Sequence, residues 1–208
     1  VSTLQANIRA IVDAGGIASI NHPNFKWSFD HESISQVAGA SLLEIFNGHP
    51  YTNLYGGPGR HSAEEIWDKV LSEGKPIFGV ATDDSHNYKD FSPSHSNPGR
   101  GWVMVHSAAL DKESILEALA SGAFYASTGV KLIKLEASQQ GISIEIEQER
   151  DLIYTTRFTT VAGELLTEVN GLTANYRPTG NETYIRATVI NSSGTRAWTQ
   201  PVFLTETY

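Results

Sequence analysis

The amino-acid sequence predicts an α/β chain in two parts. Residues 1–128 read as strand–helix units of a parallel sheet or α/β barrel, and residues 129–208 as a small antiparallel β-sandwich. Three observations predict this. Over the first 87 residues, short apolar runs alternate with segments whose apolar residues recur at helical spacing. Strands separated by helices run parallel, because each helix carries the chain back across the sheet. After Gly129 the helical period gives way to alternating apolar and polar residues in runs separated by turn residues, the pattern of short strands buried on one face. The apolar runs of the first part also end in His, Asn and Asp, which are the side chains that the open end of a barrel presents.

The elements follow in order. Ser2 and Gln5 form a capping-box pattern ahead of Leu4, Ile8, Ile11 and Val12, and Gly15-Gly16 stops that helix. Residues 17–20 are the first strand, followed by a loop rich in Asn, Pro, Phe and Trp, and residues 41–46 are the second. Ser62 and Glu65 form another capping box before Ile66, Trp67, Val70 and Leu71, with Gly74 as the stop. Residues 76–81 and 101–107 are further strands. Asp111 caps a helix that carries Ile115, Leu116 and Leu119 and ends at Gly122. In the second part, strands are expected at 131–137, 141–147, 154–161, 184–191 and 196–204. Turns fall at Asn170-Gly171, Thr179-Gly180-Asn181 and Ser192-Ser193-Gly194.

Composition excludes several classes of function. The chain has 208 residues, 40% of them hydrophobic and 18% charged, enough to bury a core. Acidic residues outnumber basic ones 23 to 15, and the net charge of −8 opposes nucleic acid or an anionic membrane as partner. With no cysteine, disulfides, thiolate metal sites and cysteine nucleophiles are excluded, and any metal must be held by His and carboxylate. No run approaches the ~18 apolar residues of a membrane span. No secretory leader is visible, and the sequence does not fix the compartment. Neither a glycine-rich phosphate loop nor a Gly-x-Ser-x-Gly elbow is present.

The chemistry concentrates in residues 79–86, Gly-Val-Ala-Thr-Asp-Asp-Ser-His, where an apolar strand runs straight into Asp84-x-His86. Residues 17–20 run in the same way into Asn21-His22-Pro23-Asn24. On extended backbone, side chains two apart share a face. Asp84 and His86 are therefore expected to point together, and with His22 they make an N,O,N set suited to Zn, Mn or Fe. For His22 alone, capping the strand by a backbone hydrogen bond is an equal alternative. Asp83 beside Asp84 is unfavourable unless a cation or a donor compensates, which places Asp83 behind the ligands. Glu44 interrupts the apolar strand Leu42-Leu43-Glu44-Ile45-Phe46. A buried carboxylate must be paired or protonated. It is expected to orient a metal-bound histidine, the alternative being a salt bridge to Arg or Lys. Asn47 either hydrogen-bonds substrate or starts the turn before Gly48. Arg100, flanked by Gly99 and Gly101, is placed to clamp phosphate, against the alternative of a solvated turn. His31, His61 and His95 read as surface histidines, and His49, which follows Asn47 closely, as the exception. Trp27, Trp67, Trp102 and Trp198 are spread out and read as packing residues.

At these residues the sequence resembles the polymerase and histidinol phosphatase (PHP) family of metallohydrolases. The matching stretches are Ile20-Asn21-His22-Pro23-Asn24, Leu43-Glu44-Ile45-Phe46-Asn47-Gly48 and residues 79–86. Phe124-Tyr125-Ala126-Ser127-Thr128-Gly129 is similar to a carbaryl-hydrolase-type branch, whose barrel is followed by a β-sandwich ending near Ala197-Trp198-Thr199-Gln200-Pro201. The resemblance covers nearly the whole chain. It implies a distorted (β/α)7 barrel with two or three divalent metals (Zn, Mn or Fe) and hydrolysis of a small-molecule phosphoester, other esters being cleaved by some members of the branch. It implies that His22, Asp84 and His86 are metal ligands and that Glu44 and Asn47 line the site. The mechanism expected is attack by metal-activated water, with Asp84 and His86 catalytic and Asn47 and Arg100 holding substrate. The family's barrel opens on a His-x-His strand that these residues lack. Residues 1–128 are thus expected to be its C-terminal half, with the N-terminal half on a missing segment or a companion fragment. Two rivals stand beside this expectation: a degenerate barrel that binds a ligand without catalysis, and a β-sandwich that binds carbohydrate or a partner.

Overall fold

A computed structural model of the chain describes residues 1–204. The last residues of the expected sandwich, 205–208, lie outside the described residues. The first part begins with α1 (Ser2–Asp13), β1 (Ala18–Ile20), α2 (His31–Ser35), β2 (Ala40–Asn47), α3 (Ala63–Ser72) and β3 (Phe78–Thr82). Its strands form one sheet in the order β1-β2-β3, with both pairings parallel. The capping box at Ser62 forms as expected: the Glu65 N–H donates to the Ser62 hydroxyl at 3.1 Å and the Ser62 N–H to the Glu65 carboxylate at 2.7 Å. The box expected at Ser2 does not form. Val1 is the cap residue and Ser2 already lies in the helix. The Gln5 amide is drawn instead to Ala38, accepting its N–H at 2.7 Å and donating to its carbonyl at 3.0 Å. α2 was not expected. Asp30 caps it by accepting the Ser33 N–H at 2.8 Å.

β4 (Trp102–Val105), α4 (Lys112–Ser121) and β5 (Phe124–Ser127) come next, then β6 (Leu132–Ser138), β7 (Gly141–Ile146), β8 (Tyr154–Thr159), β9 (Leu165–Asn170), β10 (Thr173–Tyr176), β11 (Tyr184–Asn191), β12 (Arg196–Trp198) and β13 (Val202–Phe203). One antiparallel sheet has the order β10-β7-β6. A second runs β4-β5-β12-β11-β8-β9, with β13 also on β11. Their facing side chains, among them Ile142, Ile144, Phe158, Ile185 and Val189, form one buried cluster, so the two sheets pack as a sandwich. The second sheet runs across the expected boundary near Gly129. β4 and β5 pair with each other and β5 with β12, so the strand expected at 101–107 belongs to the antiparallel sheet rather than to a parallel unit.

Chemistry as well as packing joins the two parts. Leu43, Ile45, Trp67 and Leu71 share a core with Ala126, Tyr184 and Trp198 of the antiparallel sheet. Each fully buried aliphatic side chain contributes about 1.5–3 kcal/mol there. Arg186 on β11 is 2% exposed and grips Asp68 on α3 through two hydrogen bonds, 2.7 Å from Nε and 2.6 Å from Nη2. The Gln200 amide clamps Gly79 on β3 as a neighbouring strand would, accepting its N–H at 2.8 Å and donating to its carbonyl at 2.9 Å. Among the described residues, β1–β3 form an open sheet with no partner on the outer edge of β1.

Candidate functional site

Parallel pairing brings the C-terminal ends of β1, β2 and β3 to one edge, and the residues that leave those ends meet around Glu44. Glu44 lies in β2 and is 2% exposed. Its Oε2 accepts the His22 main-chain N–H at 2.5 Å and the Asn47 side-chain N–H at 2.8 Å, and its Oε1 accepts the Thr82 hydroxyl. One carboxylate thus ties together all three strand ends. The expected contact with a histidine ring is replaced by one with the histidine backbone. Asn47 extends the network by donating from Nδ2 to Asp84 Oδ2 at 3.2 Å.

Glu44 and Asn47 are three residues apart, and in a regular strand they would face opposite ways. The β2–β3 register shifts between Glu44 and Phe46, and this bulge turns Asn47 back to the Glu44 side. The turns beyond β1 and β3 are strained as well. His22 has φ +29° and Asp84 φ +50°, conformations uncommon for any residue but glycine and held at a cost of about 1–3 kcal/mol each. The positive φ overturns the extended backbone expected at Asp84. Asp84 and His86 still come together, but through a turn: His86 Nδ1 lies 2.6 Å from the Asp84 carbonyl oxygen and 3.8 Å from Oδ1. The His86 N–H donates to Ser96 Oγ at 2.9 Å, which pins the far side of the loop.

Asp83 and Arg100 work on the loops. Asp83 Oδ1 accepts the N–H groups of Arg100 and Gly101 at 2.6 and 2.9 Å. The Arg100 guanidinium donates to the carbonyls of Gly48 at 3.0 Å and Ser92 at 2.7 Å. A Cβ on Gly48 would stand 2.6 Å from the Arg100 Cβ, so only glycine admits this approach. Arg100 still lines an open cleft of about 550 Å³, together with Asn47, His49, Thr52 and Tyr55. The His49 ring meets the His86 ring edge-on at 5.5 Å between centroids. His95 pairs locally with Asp90, its Nδ1 3.4 Å from the carboxylate.

The expected ligands His22, Asp84 and His86 reach one neighbourhood but do not form a cage. Among the described residues, no three His, Asp or Glu side chains converge so as to hold a metal ion. His22 joins through its backbone, and His86, with Nδ1 on a carbonyl, keeps Nε2 free but without partner ligands around it among these residues. A zinc site takes three or four protein ligands, so these residues by themselves do not make one. Sequence reasoning missed Thr82, Ser96 and Asn97. Thr82 had a signal, a hydroxyl ending the apolar strand two residues before Asp84. Ser96 and Asn97 sit in a polar loop like any other, and only their burial, 1% and 3% exposed, sets them apart. No protein-family model matches the chain, and no curated protein matches it.

Proposed function

We propose that the chain carries part of the active site of a metal-dependent phosphoesterase of the PHP type, and that its parallel sheet β1–β3 with the surrounding helices belongs to the C-terminal half of a distorted (β/α)7 barrel. The observation that supports this reading is the Glu44 carboxylate, buried and bonded to residues from three strand ends. A buried charge with polar partners adds little stability compared with apolar packing of the same volume. Here it holds His22 and, through Asn47, Asp84 in strained turns at the rim of the sheet, which serves position rather than stability.

Hydrolysis of a phosphoester needs a water nucleophile and positive charge against the phosphoryl oxygens. Arg100 supplies one cation beside the cleft, whereas Asp83 and Asp84 oppose an approaching anion. The site therefore requires added positive charge, and divalent cations would supply it. The remaining ligands would come from another segment or a companion fragment. The shortage of donors favours a second reading, a domain that binds a phosphoester without cleaving it.

Metal analysis and p-nitrophenyl phosphate hydrolysis on the intact polypeptide test both. The wild type should hold Zn, Mn or Fe and turn over substrate, and Asp84→Asn should lose both while remaining folded. Undiminished hydrolysis by Asp84→Asn overturns the first reading. Metal and phosphate bound without turnover decides for the second.

A further inference from the structure

We propose that His49 binds the phosphoryl oxygens of the substrate through an N–H donor on Nε2 whose position the backbone fixes. This rests on the phosphoester reading and adds a residue to it. The backbone sets the tautomer of His49. Its Nδ1 accepts the Tyr51 main-chain N–H at 3.2 Å, so that nitrogen carries the lone pair and the proton sits on Nε2. Its own N–H donates to Asn47 Oδ1 at 2.8 Å, and its carbonyl accepts the Thr52 hydroxyl at 3.1 Å, which fixes the residue to the end of β2. No hydrogen-bond acceptor meets Nε2 among the described residues, and the residue lines the cleft beside Arg100.

His86 is held the opposite way. Its Nδ1 faces the Asp84 carbonyl oxygen at 2.6 Å and Ser96 Oγ at 3.2 Å, and a carbonyl can only accept, so the Nδ1 of this ring carries a proton and Nε2 is left free of these contacts. With His86 neutral, two imidazoles at 5.5 Å and 87° offer a donor and an acceptor side by side. A phosphoryl oxygen only accepts, so it matches His49. A water donates, so it matches the neutral His86. An N–H donor here adds to a cleft where Arg100 has spent donors on the Gly48 and Ser92 carbonyls.

The experiment has two parts. Long-range ¹⁵N–¹H correlation spectra of the intact polypeptide at neutral pH should show His49 protonated at Nε2 and His86 at Nδ1. Titration with inorganic phosphate should then shift the His49 signals saturably. His49→Phe should weaken phosphate binding about tenfold, while His49→Gln, whose amide N–H reaches similarly far, should stay within about threefold. An Nδ1–H tautomer at His49 overturns the inference, and that measurement needs no variant. Phosphate binding unchanged in His49→Phe also overturns it. Phosphate bound through His49 by a protein that hydrolyses no phosphoester overturns the hydrolase reading alone. Hydrolysis equal in wild type and His49→Phe overturns the His49 assignment alone.

Discussion

Replacing Arg186 with methionine tests how the two parts of the molecule are held together. The guanidinium donates from Nε and Nη2 to the two Asp68 oxygens at 2.7 and 2.6 Å, from Nη2 to Glu64 at 3.2 Å and from Nη1 to Thr188 at 2.7 Å. Its carbon also lies 4.9 Å from the centroid of the Trp67 ring. The side chains of Arg186 and Asp68 are 2% and 5% exposed. Methionine refills the space over Trp67 but leaves the Asp68 carboxylate buried with the Tyr184 hydroxyl, at 3.2 Å, as its remaining strong donor. An uncompensated buried charge costs about 3–5 kcal/mol, a large share of the ~5–15 kcal/mol that holds a domain folded. Adding Asp68→Leu removes the orphaned charge. The double variant should recover at least about 2 kcal/mol over Arg186→Met, because an ion pair replaced as a unit by apolar groups is near neutral. Urea unfolding followed by tryptophan fluorescence at pH 7 measures both. A single variant that loses under about 1 kcal/mol, or a double variant whose losses simply add, refutes the reasoning.

Three further outcomes are expected. Gly48→Ala should push Arg100 off its carbonyl partners and cost about 1–3 kcal/mol in urea, since the new Cβ would lie 2.6 Å from the Arg100 Cβ and 3.1 Å from the Asp83 carbonyl; an unchanged midpoint shows that the approach is not tight. Because Asn tolerates the left-handed backbone better than Ala does, Asp84→Ala should be less stable than Asp84→Asn by about 1 kcal/mol, read as a difference in unfolding midpoints. Glu182 is buried, which opposes its charge, but the Tyr176 hydroxyl and the N–H groups and hydroxyl of the Thr179 turn hold its carboxyl down to about 2. Its folded value is the depressed one. The stability it contributes is therefore full above the ordinary carboxylate range and is lost as pH falls from about 4.5 toward about 2. Glu182→Gln should flatten acid unfolding across that window, and a variant with an unaltered acid limb contradicts the assignment.

The parallel order of β1–β3 and the cap at Ser62 were legible because local signals there agree with the packing: an apolar run, a stop, then a Ser-x-x-Glu start. At Ser2 the same kind of signal failed, since Ala38, distant in sequence, offers Gln5 two hydrogen bonds that the helix start cannot match. β9 and β10 escaped notice because β9 mixes exposed and half-buried positions and β10 spans four residues, too short for a period to show. In the site, the residue types were readable but not their arrangement. Glu44 was marked by being a carboxylate in an apolar strand. The bulge that turns Asn47 toward it depends on the register with β3, which no single segment encodes. Arg100 looked like a phosphate clamp because glycines flank it. In three dimensions its guanidinium reaches the Gly48 carbonyl beyond β2, where the lack of a Cβ on Gly48 admits it, and the Ser92 carbonyl of its own loop.

The Gln200 amide makes growth of the parallel sheet one-sided. By occupying the Gly79 peptide group it plugs the far edge of β3 with a side chain, and no incoming strand can register there without first evicting it. β1, by contrast, offers open backbone groups along its outer edge among the described residues. Among the described residues, an additional strand from this polypeptide or another finds its place along the outer edge of β1, next to the turn that carries His22.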